Sequence, residues 1–380
     1  MNFELNDTQR QLQDSVRRLL ADHCSFDKRR AIAASADGRS AELWSRLAEL
    51  GVTGLRVPEA HGGFGGRLED LLPVLQACGA ALVTEPVLAS AVLGATALAC
   101  AADAATAARL LPGVADGSRI VAWAHDEPGA HHAECWVETR AEARAGGWVL
   151  AGTKSTVLHG ALAAQFVVSA RVAGAPGDRG GRALFVVDAG AAGLRRRDFR
   201  LVDDTPASEL QLEGVAAMPL GDPHDGAHAT RAIETTLAAG TAAACADMLG
   251  AAEEAFRLSM DYLNVRQQFG RLIGANQALR HRAADMLVSL EMARSMAMAA
   301  AVAADRPGDE DSAADLARAK LVVGKHARLV CQHGVQCHGG IGMTEEYAVG
   351  HCLRRVHVLD HLFGDASAQA QRLAALAALA

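Results

Sequence analysis

Short alternating runs of apolar residues interrupt an otherwise helical chain between about residues 116 and 225. Turns rich in glycine separate these runs, which is typical of strands that follow one another directly along the chain. Because helices do not alternate with the strands, a doubly wound parallel sheet is disfavoured, and an antiparallel sheet or small barrel is predicted. The predicted strands lie at 120–123, 148–150, 165–168, 183–187 and 209–212.

Residues 1–115 have a helical pattern. Asn6-Asp7-Thr8 is predicted to cap a first helix, and a second helix is predicted from Ser40 to Leu50, ending at Gly51. A loop follows, because six glycines and one proline within sixteen residues do not sustain a helix. The loop covers 51–66, and further helical segments are predicted at 72–79 and 87–111.

Residues 226–380 are helical again and rich in alanine. An apolar stripe with alternating spacings of four and three residues indicates the seam of a helical bundle. The stripe consists of Leu279, Ala283, Met286, Leu290, Ala293 and Ala297. The predicted fold is therefore a multidomain α+β chain, with an N-terminal all-α domain (1–115), a central antiparallel β-sheet or barrel (116–225) and a C-terminal four-helix bundle (226–380).

The composition narrows the class of function. The 380 residues carry a net charge of -7 and no basic stripe, so a nucleic-acid partner is not expected. The eight cysteines form no CxxC pair, and His333, Cys337 and His338 lack the second half of a zinc pattern, so no metal site is predicted. The first residues do not resemble a signal peptide, and no uncharged apolar run is long enough to cross a membrane. A cytoplasmic protein with reduced thiols and no membrane partner is expected.

A first motif lies in the last zone. Arg266, Phe269 and Gly270 belong to the run YLNVRQQFG, and Gln277 follows. The run is predicted to be the end of a helix at Gly270, with Arg266 and Phe269 one turn apart on one face. Such a pair offers a fork for a phosphate and an apolar plate for a ring. The alternative is a solvated arginine beside a phenylalanine of the core.

A second motif is the run QCHGGIGMTEEY, which begins at Gln336. Its glycines expose backbone N–H groups and let a phosphate or a flat ligand approach, just before a helix that Thr344 is predicted to cap. Alternatively, the glycines form an ordinary turn between two helices, and His338 is a structural histidine.

A third motif, at 360–369, is a short acidic turn that leads into the last helix. Asp365 lies in this turn, and its alternative role is that of a helix cap.

The three motifs in this order resemble those of the acyl-CoA dehydrogenase family. The resemblance extends over nearly the whole chain, through the opening helix FELNDTQRQLQDSVRRLL, the segment LAELGVTGLRVPEAHGGFGG and the strand segment GGWVLAGTKSTVLHGALAAQFVVSAR. It implies a helical domain, a β-domain and a four-helix bundle, assembled as dimers or dimers of dimers around FAD.

The resemblance also implies which residues bind FAD. Arg266, Phe269 and Gln277 would contact the pyrophosphate and adenosine across a subunit interface. Gln336 and the backbone of Gly339 and Gly340 would hold the same end of the cofactor. Ser367 and Gln369 match positions that touch FAD near the last turn.

The family reaction removes two hydrogens from an acyl-CoA thioester. A carboxylate takes the α-proton, the β-hydrogen leaves as hydride to the flavin, and an electron-transfer flavoprotein receives the electrons. Many members carry a glutamate base followed by Gly-Thr in the last turn, and that position here is Asp365. Other members place the base on the helix that carries the arginine motif, where Asp261 is the nearest acid.

The sequence departs from the family at the positions expected near the flavin ring. Asp126 stands where many members have the threonine of a Thr-Glu-Pro segment, and Thr156-Val157-Leu158 replaces a Trp-Ile-Thr segment. The residues expected around the adenosine half of FAD therefore match the family pattern better than those expected around the flavin ring.

This asymmetry leaves alternatives to an autonomous enzyme of fatty acid or steroid side-chain catabolism. The chain could be a catalytically weak or inactive subunit that completes the site of a larger homologous subunit, because Phe363-Gly364-Asp365 resembles the small subunits of bacterial heterotetramers. A flavin monooxygenase or oxidase on the same fold is another alternative.

Overall fold

The structure is a computed structural model and describes residues 5–134, 136–309 and 311–378. Its α-helices are α1 (Asp7–His23), α2 (Phe26–Ala34), α3 (Ala41–Glu49), α4 (Leu68–Ala80), α5 (Ala95–Ala101), α6 (Ala104–Ala115), α7 (Gly226–Val265), α8 (Gln277–Ala304), α9 (Ser312–His338), α10 (Ala348–His361) and α11 (Ala366–Ala377). Its strands are β1 (Val121–Ala124), β2 (Arg140–Arg144), β3 (Gly147–Leu158), β4 (Gln165–Arg171), β5 (Arg182–Asp188), β6 (Leu194–Arg200), β7 (Pro206–Pro219), β8 (Gln267–Gln268) and β9 (Arg271–Leu272).

These elements form two compact units. The bundle unit comprises the described parts of residues 1–31, 68–83 and 241–380, and the barrel unit those of 32–67 and 84–240. The long helix α7 contributes its first part to the barrel unit and its second part to the bundle unit.

The bundle unit is packed through small residues. A Cβ added at Gly79 would lie 2.0 Å from the carbonyl oxygen of Asp247, and one at Gly250 would lie 1.9 Å from that of Gln76. Helices α4 and α7 therefore cross with their backbones in contact, which only glycine permits. The predicted seam of α8 is confirmed for its last four residues, Met286, Leu290, Ala293 and Ala297, which are buried. The first two, Leu279 and Ala283, are half-buried.

Helix α8 is also long and apolar enough to cross a membrane, and within the described residues it is the only helix that meets this test. Half of its most apolar window is buried inside the protein, as expected of a core helix.

The barrel unit is built on a closed ring of strands. In this ring β4 pairs with β2, β2 with β3, β3 with β7, β7 with β5 and β5 again with β4. Its interior is filled by apolar side chains such as Leu150, Phe166, Phe185 and Leu210. The expectation of an antiparallel sheet is wrong for two pairs. Strand β1 runs parallel to β4 with Val121 opposite Gln165, and β2 runs parallel to β4 with Arg140 opposite Arg171. The long connection at 125–164 makes the parallel pairing of β1 with β4 possible.

Among the helices and strands before residue 226, α2, β2 and β6 were not predicted from the sequence. Strand β6 has the sequence LRRRDFR, in which arginines hide the apolar alternation. The helical run predicted at 87–111 is divided into a π-helix (Val87–Gly94), α5 and α6. The π-helix packs closely on β1, because a Cβ at Gly94 would lie 2.4 Å from the carbonyl oxygen of Val121.

Candidate active site

The arginine motif forms a hairpin. Helix α7 ends at Val265, and β8 pairs with β9 across a two-residue turn made by Phe269 and Gly270. Both turn residues have positive φ, 52° and 77°, as a type I′ hairpin turn requires. The prediction that the helix continues to Gly270, with Arg266 and Phe269 on one helical face, is therefore wrong. The phenylalanine–glycine pair acted as a turn signal rather than as a helix end.

The hairpin presents its side chains to solvent. Phe269 is 100% exposed, and Arg266 and Gln277 are exposed as well. A core role for Phe269 is excluded, because the side chain has no burial within this chain. An exposed aromatic ring and an exposed guanidinium in one hairpin segment suit a ligand that has a flat base and phosphates.

The glycine motif forms an open turn. Helix α9 ends at His338, and Gly339 follows with a φ of 64°. A Cβ added at Gly339 or at Gly340 would meet no atom within 4 Å, whereas one at Gly342 would lie 2.9 Å from the carbonyl oxygen of Val335. The first two glycines therefore border empty space that the chain itself does not use. Gln336 is exposed beside them.

The helix after this turn begins later than predicted. Helix α10 starts at Ala348, and Tyr347 occupies its N-cap position without a side-chain hydrogen bond. Thr344 is not the cap, because its hydroxyl donates to the carbonyl oxygen of Ile341 at 3.0 Å. The hydroxyl closes the short turn instead.

His338 supports the glycine turn from inside. Its ring is buried, with centroids 4.5 Å from that of Tyr262 and 4.8 Å from that of Tyr347. Its Nδ1 lies 2.7 Å from the carbonyl oxygen of Gly334, and burial lowers its pKa. The geometry is that of a structural histidine rather than a catalyst.

The acidic turn precedes α11. Asp365 occupies the N-cap position of this helix, where Oδ1 accepts a hydrogen bond from the backbone N–H of Ala368 at 2.9 Å. The other oxygen lies 3.9 Å from His361 Nδ1. The alternative role of Asp365 as a helix cap is thus present in the structure.

Of the two residues expected to touch FAD near this turn, Ser367 is exposed and Gln369 is buried. The amide of Gln369 donates to the carbonyl oxygen of Phe363 at 2.7 Å and lies 3.3 Å from that of Gly364. In this chain Gln369 therefore holds the turn.

Asp261 has a different environment. Its side chain is 64% exposed and forms an ion pair with Arg257, with 2.7 Å between Oδ2 and Nη1. A carboxylate base for a carbon acid needs a site shielded from water. Asp261 has no such shielding within the bundle unit.

The barrel unit carries the residues expected near the flavin ring. Asp126 is exposed, while its neighbours His125 and Glu127 are buried. Glu127 accepts hydrogen bonds from the backbone and hydroxyl of Thr139 at 2.9 and 2.6 Å and from Lys154 Nζ at 2.7 Å. Lys154 has a side-chain exposure of 0%. Asp126 therefore directly precedes, along the chain, the carboxylate of a buried ion pair.

The buried pair continues into a hydrogen-bonded chain. Lys154 Nζ donates to Ser169 Oγ at 3.0 Å, Ser169 Oγ lies 2.8 Å from His125 Nδ1, and His125 Nε2 lies 3.1 Å from the carbonyl oxygen of Glu134. Since a carbonyl only accepts, the network assigns the proton to Nε2 and makes Nδ1 the acceptor. Burial, and then the charge of Lys154, lower the pKa of His125 to about 3.

Sequence reasoning overlooked Lys154 and Ser169. A lysine inside the strand run TKST was the available signal, because a charged side chain within a β-strand of the core requires a buried partner. At the position of the Trp-Ile-Thr segment, Val157 and Leu158 are buried and Thr156 is half-buried.

Comparison with known proteins decides the family. The descriptions "Acyl-CoA dehydrogenase, N-terminal domain", "middle domain" and "C-terminal domain" match residues 6–118, 121–215 and 229–377. The chain belongs to the acyl-CoA dehydrogenase family. It is an oxidoreductase, and its cofactor is FAD.

Relatives of this dehydrogenase match over nearly their whole length. The probable acyl-CoA dehydrogenase YngJ of Bacillus subtilis is 28% identical over 98% of both chains. A variant of the Tcur3481–Tcur3483 steroid acyl-CoA dehydrogenase superposes with a TM-score of 0.87 and 32% identity over 98% of both chains. The ChsE4–ChsE5 complex of Mycobacterium tuberculosis gives a TM-score of 0.86 and 25% identity over 100% of both chains.

The bundle unit fits one part of this cofactor well. Gly339 and Gly340 are exposed, and a Cβ at either would meet no atom within 4 Å, so a phosphate can approach their backbone; Arg266 and Phe269 are exposed as well. These residues would hold the adenosine half of FAD. No cluster of three or more potential metal ligands occurs among the described residues.

Proposed function

We propose that the chain catalyses FAD-dependent α,β-dehydrogenation of an acyl-CoA thioester to the 2-enoyl-CoA, with Asp365 as the base and an electron-transfer flavoprotein as the electron acceptor. The observation that carries the proposal is the turn before α11, where a half-buried carboxylate is held by a backbone hydrogen bond. Asp261 is exposed and paired with Arg257, and so fits the role less well.

The proposed step balances as follows. Asp365 takes the α-proton, the C–H electron pair forms the new double bond, and the β-hydrogen leaves with its electrons as hydride. FAD, when bound, would supply the acceptor for this hydride. Asp365 then returns its proton to solvent.

Aspartate is one methylene shorter than the usual glutamate, a difference in reach of about 1 Å, and a misplacement of this size costs about a hundredfold in rate. We therefore expect a slow enzyme.

The experiment uses the purified chain loaded with FAD, a panel of acyl-CoA thioesters and an artificial electron acceptor. The panel includes straight-chain and steroid side-chain thioesters, because the Tcur3481–Tcur3483 relative is described as a steroid enzyme. The variant Asp365→Asn keeps a good N-cap residue and removes the base, so the rate is expected to fall by a factor of about 10²–10⁴.

The matched control is Asp103→Asn, because Asp103 caps α6 through a hydrogen bond of 2.8 Å from the backbone N–H of Thr106. This control is expected to leave the rate unchanged. Full activity of Asp365→Asn together with loss of activity in Asp261→Asn would transfer the role to Asp261. Oxygen consumption by the reduced enzyme, without electron-transfer flavoprotein, would favour an oxidase or monooxygenase.

A second candidate function is that of a partner subunit that supplies the adenosine side of a FAD site. Two observations favour it: the ring-side position Asp126 departs from the family, and apolar side chains are exposed around the hairpin, α8 and the glycine turn. These side chains are Val265, Phe269, Leu272, Leu287, Val288, Met292, Ile341 and Met343. Relatives named as pairs, ChsE4–ChsE5 and Tcur3481–Tcur3483, agree with such an assembly.

The absorbance spectrum of the chain purified alone separates the two candidates. A full complement of FAD that an acyl-CoA bleaches supports the autonomous enzyme. A stable, colourless protein that binds FAD only with a larger homologous subunit supports the partner role. Native mass spectrometry of the same sample distinguishes a homo-oligomer from a heteromer.

We also propose a cytoplasmic location, because Cys245, Cys331, Cys337 and Cys352 are buried thiols that form no disulfide. Cell fractionation tests this part of the proposal.

A further inference from the structure

A buried lysine lies beneath the turn that carries Asp365. Lys320, on α9, is 1% exposed. Its Nζ donates to the carbonyl oxygen of Asp360 at 2.7 Å and lies 3.3 Å from that of Gly364. The first carbonyl belongs to the last turn of α10, where helix carbonyls have no partner within the helix. The second belongs to the residue directly before Asp365.

The ammonium is expensive to bury and is accompanied by a carboxylate. Asp360 Oδ1 lies 3.9 Å from Lys320 Nζ, and Asp360 Oδ2 lies 3.7 Å from Arg328 Nη1. A Cβ added at Gly324 would lie 2.0 Å from Asp360 Oδ1, so this glycine makes room for the carboxylate. Such buried pairs seldom add net stability over apolar side chains, so a role in fixing local geometry is the better explanation.

A second group holds the turn from α11. The amide of Gln369 donates to the carbonyl oxygens of Phe363 and Gly364, so the Gly364 oxygen has two donors. Phe363 and Gly364 both have positive φ, 61° and 88°. A Cβ at Gly364 would lie 2.9 Å from Gln369 Nε2, so the turn has no room for a side chain there.

Peptide planarity carries this arrangement to Asp365. The carbonyl of Gly364 points inward to Lys320 and Gln369, and in a trans peptide the N–H of Asp365 points in the opposite direction. A cation on the carbonyl side also polarises the peptide bond and makes its N–H a stronger donor. The N–H and the carboxylate of Asp365 are thereby fixed together.

We propose that Lys320 is a positioning residue for the dehydrogenation: with Gln369, it holds the Gly364–Asp365 peptide so that the backbone N–H and the carboxylate of Asp365 face the thioester together. This inference rests on the proposed role of Asp365 as the base. It assigns Lys320 a function through Asp365, without contact with the substrate.

The test compares Lys320→Met and Lys320→Gln with Lys325→Met, an exposed lysine on the same helix. Lys320→Met is expected to lower kcat about a hundredfold, as a displacement of about 1 Å does, with KM changed less than threefold. Lys320→Gln keeps one donor and serves if the methionine variant does not fold, and its kcat is expected to fall about tenfold. Lys325→Met is expected to leave both constants unchanged.

Energetic coupling between Lys320 and Asp365, measured from the rates of the single and double variants, distinguishes a positioning role from a merely structural one. In the Asp365→Asn background, a change at Lys320 is expected to cost no further rate, because the two residues act as one unit. Additive losses in the double variant would overturn the proposal.

Hydrogen–deuterium exchange separates this inference from the proposed function. Lys320→Met, or Lys320→Gln in its place, is expected to speed exchange at 362–369 by at least tenfold while α9 stays protected. Unchanged exchange in that segment would overturn the positioning role even if Asp365 proves to be the base. Conversely, faster exchange in this segment together with a fully active Asp365→Asn variant would refute the assignment of Asp365 as the base. The conclusion that Lys320 orders the turn would then stand without a role in catalysis.

Discussion

Two regions that the family associates with one cofactor are built on opposite principles. In the bundle unit, the residues expected to bind FAD are exposed: Phe269 stands at the tip of a hairpin, and Gly339 and Gly340 border empty space. In the barrel unit, the residues around Asp126 are buried and hydrogen-bonded to one another. The exposed residues of the first region contribute little to folding and are accessible to a ligand. The buried network of the second region contributes to folding and fixes the backbone next to Asp126, since Lys154 Nζ donates to the carbonyl oxygen of His125.

The largest effect expected from this comparison is on the barrel unit. Lys154→Met leaves the Glu127 carboxylate buried without its cation, which costs about 3–5 kcal/mol of the free energy of unfolding. Urea denaturation measures it. The control is Arg197→Met, which breaks an ion pair of 2.8 Å with Glu209 at an exposed arginine, and surface pairs contribute at most about 1 kcal/mol. Equal losses in the two variants would remove the distinction between the regions.

Acid should weaken the barrel unit through His125. Its pKa in the folded protein is about 3, against an ordinary value of 6.5, so between these values the unfolded state binds a proton that the folded state does not. Stability through this group therefore falls as the pH drops below 6.5, by about 1.4 kcal/mol per unit, or about 2 kcal/mol by pH 5. His125→Asn should flatten the pH dependence of urea denaturation, whereas the exposed His224→Asn should not.

The glycine turn of the bundle unit should respond in binding and not in stability. Gly340→Ala places a methyl group in the open space, so FAD affinity is expected to fall about tenfold, or about 1.4 kcal/mol. The melting temperature of the FAD-free protein should stay the same. Gly190→Ala, which also meets nothing within 4 Å, is the matched control and should leave FAD affinity intact. A loss of stability in Gly340→Ala would show that the glycine turn, like the buried network of the barrel unit, contributes to folding.

The smallest effect on stability is expected at Phe269. Because the ring is fully exposed, Phe269→Ala should change the free energy of unfolding by less than about 0.5 kcal/mol. FAD affinity, measured by fluorescence titration, should fall if the ring serves as a plate for the adenine. A large loss of stability would instead indicate that the ring is buried between subunits. The stability of the protein would then fall further on dilution.

The same contrast explains what the sequence allowed us to predict. The order of helices, strands and bundle followed from periodicity, and the last four residues of the α8 seam are buried as their spacing predicted. The end of α7 was misplaced by five residues, at Gly270 rather than Val265, because the helical pattern and the hairpin signal overlap at 266–270. The network of Lys154, Ser169 and His125 joins residues from three separate strands or loops, and no local pattern reports such a pairing.

The acidic turn was predicted only in part. The sequence predicted a carboxylate before the last helix and left open whether it acts as cap or base. The cap is present in the structure, but Lys320 and Gln369 act on the backbone oxygens of the turn, and backbone contacts leave no trace in side-chain spacing.

The edge of the barrel has a consequence for handling the protein. Strand β6 pairs with β7 alone among the described strands and carries four arginines in seven residues. An unpaired edge invites a strand from another molecule, and charged side chains along the edge discourage such pairing. Three of the arginines form ion pairs with carboxylates, but β6 itself keeps an excess of positive charge. At about 1 M salt, where charges are screened over roughly 3 Å, the repulsion between two such edges is lost. Purification at high ionic strength would therefore remove a safeguard against aggregation that the sequence itself provides.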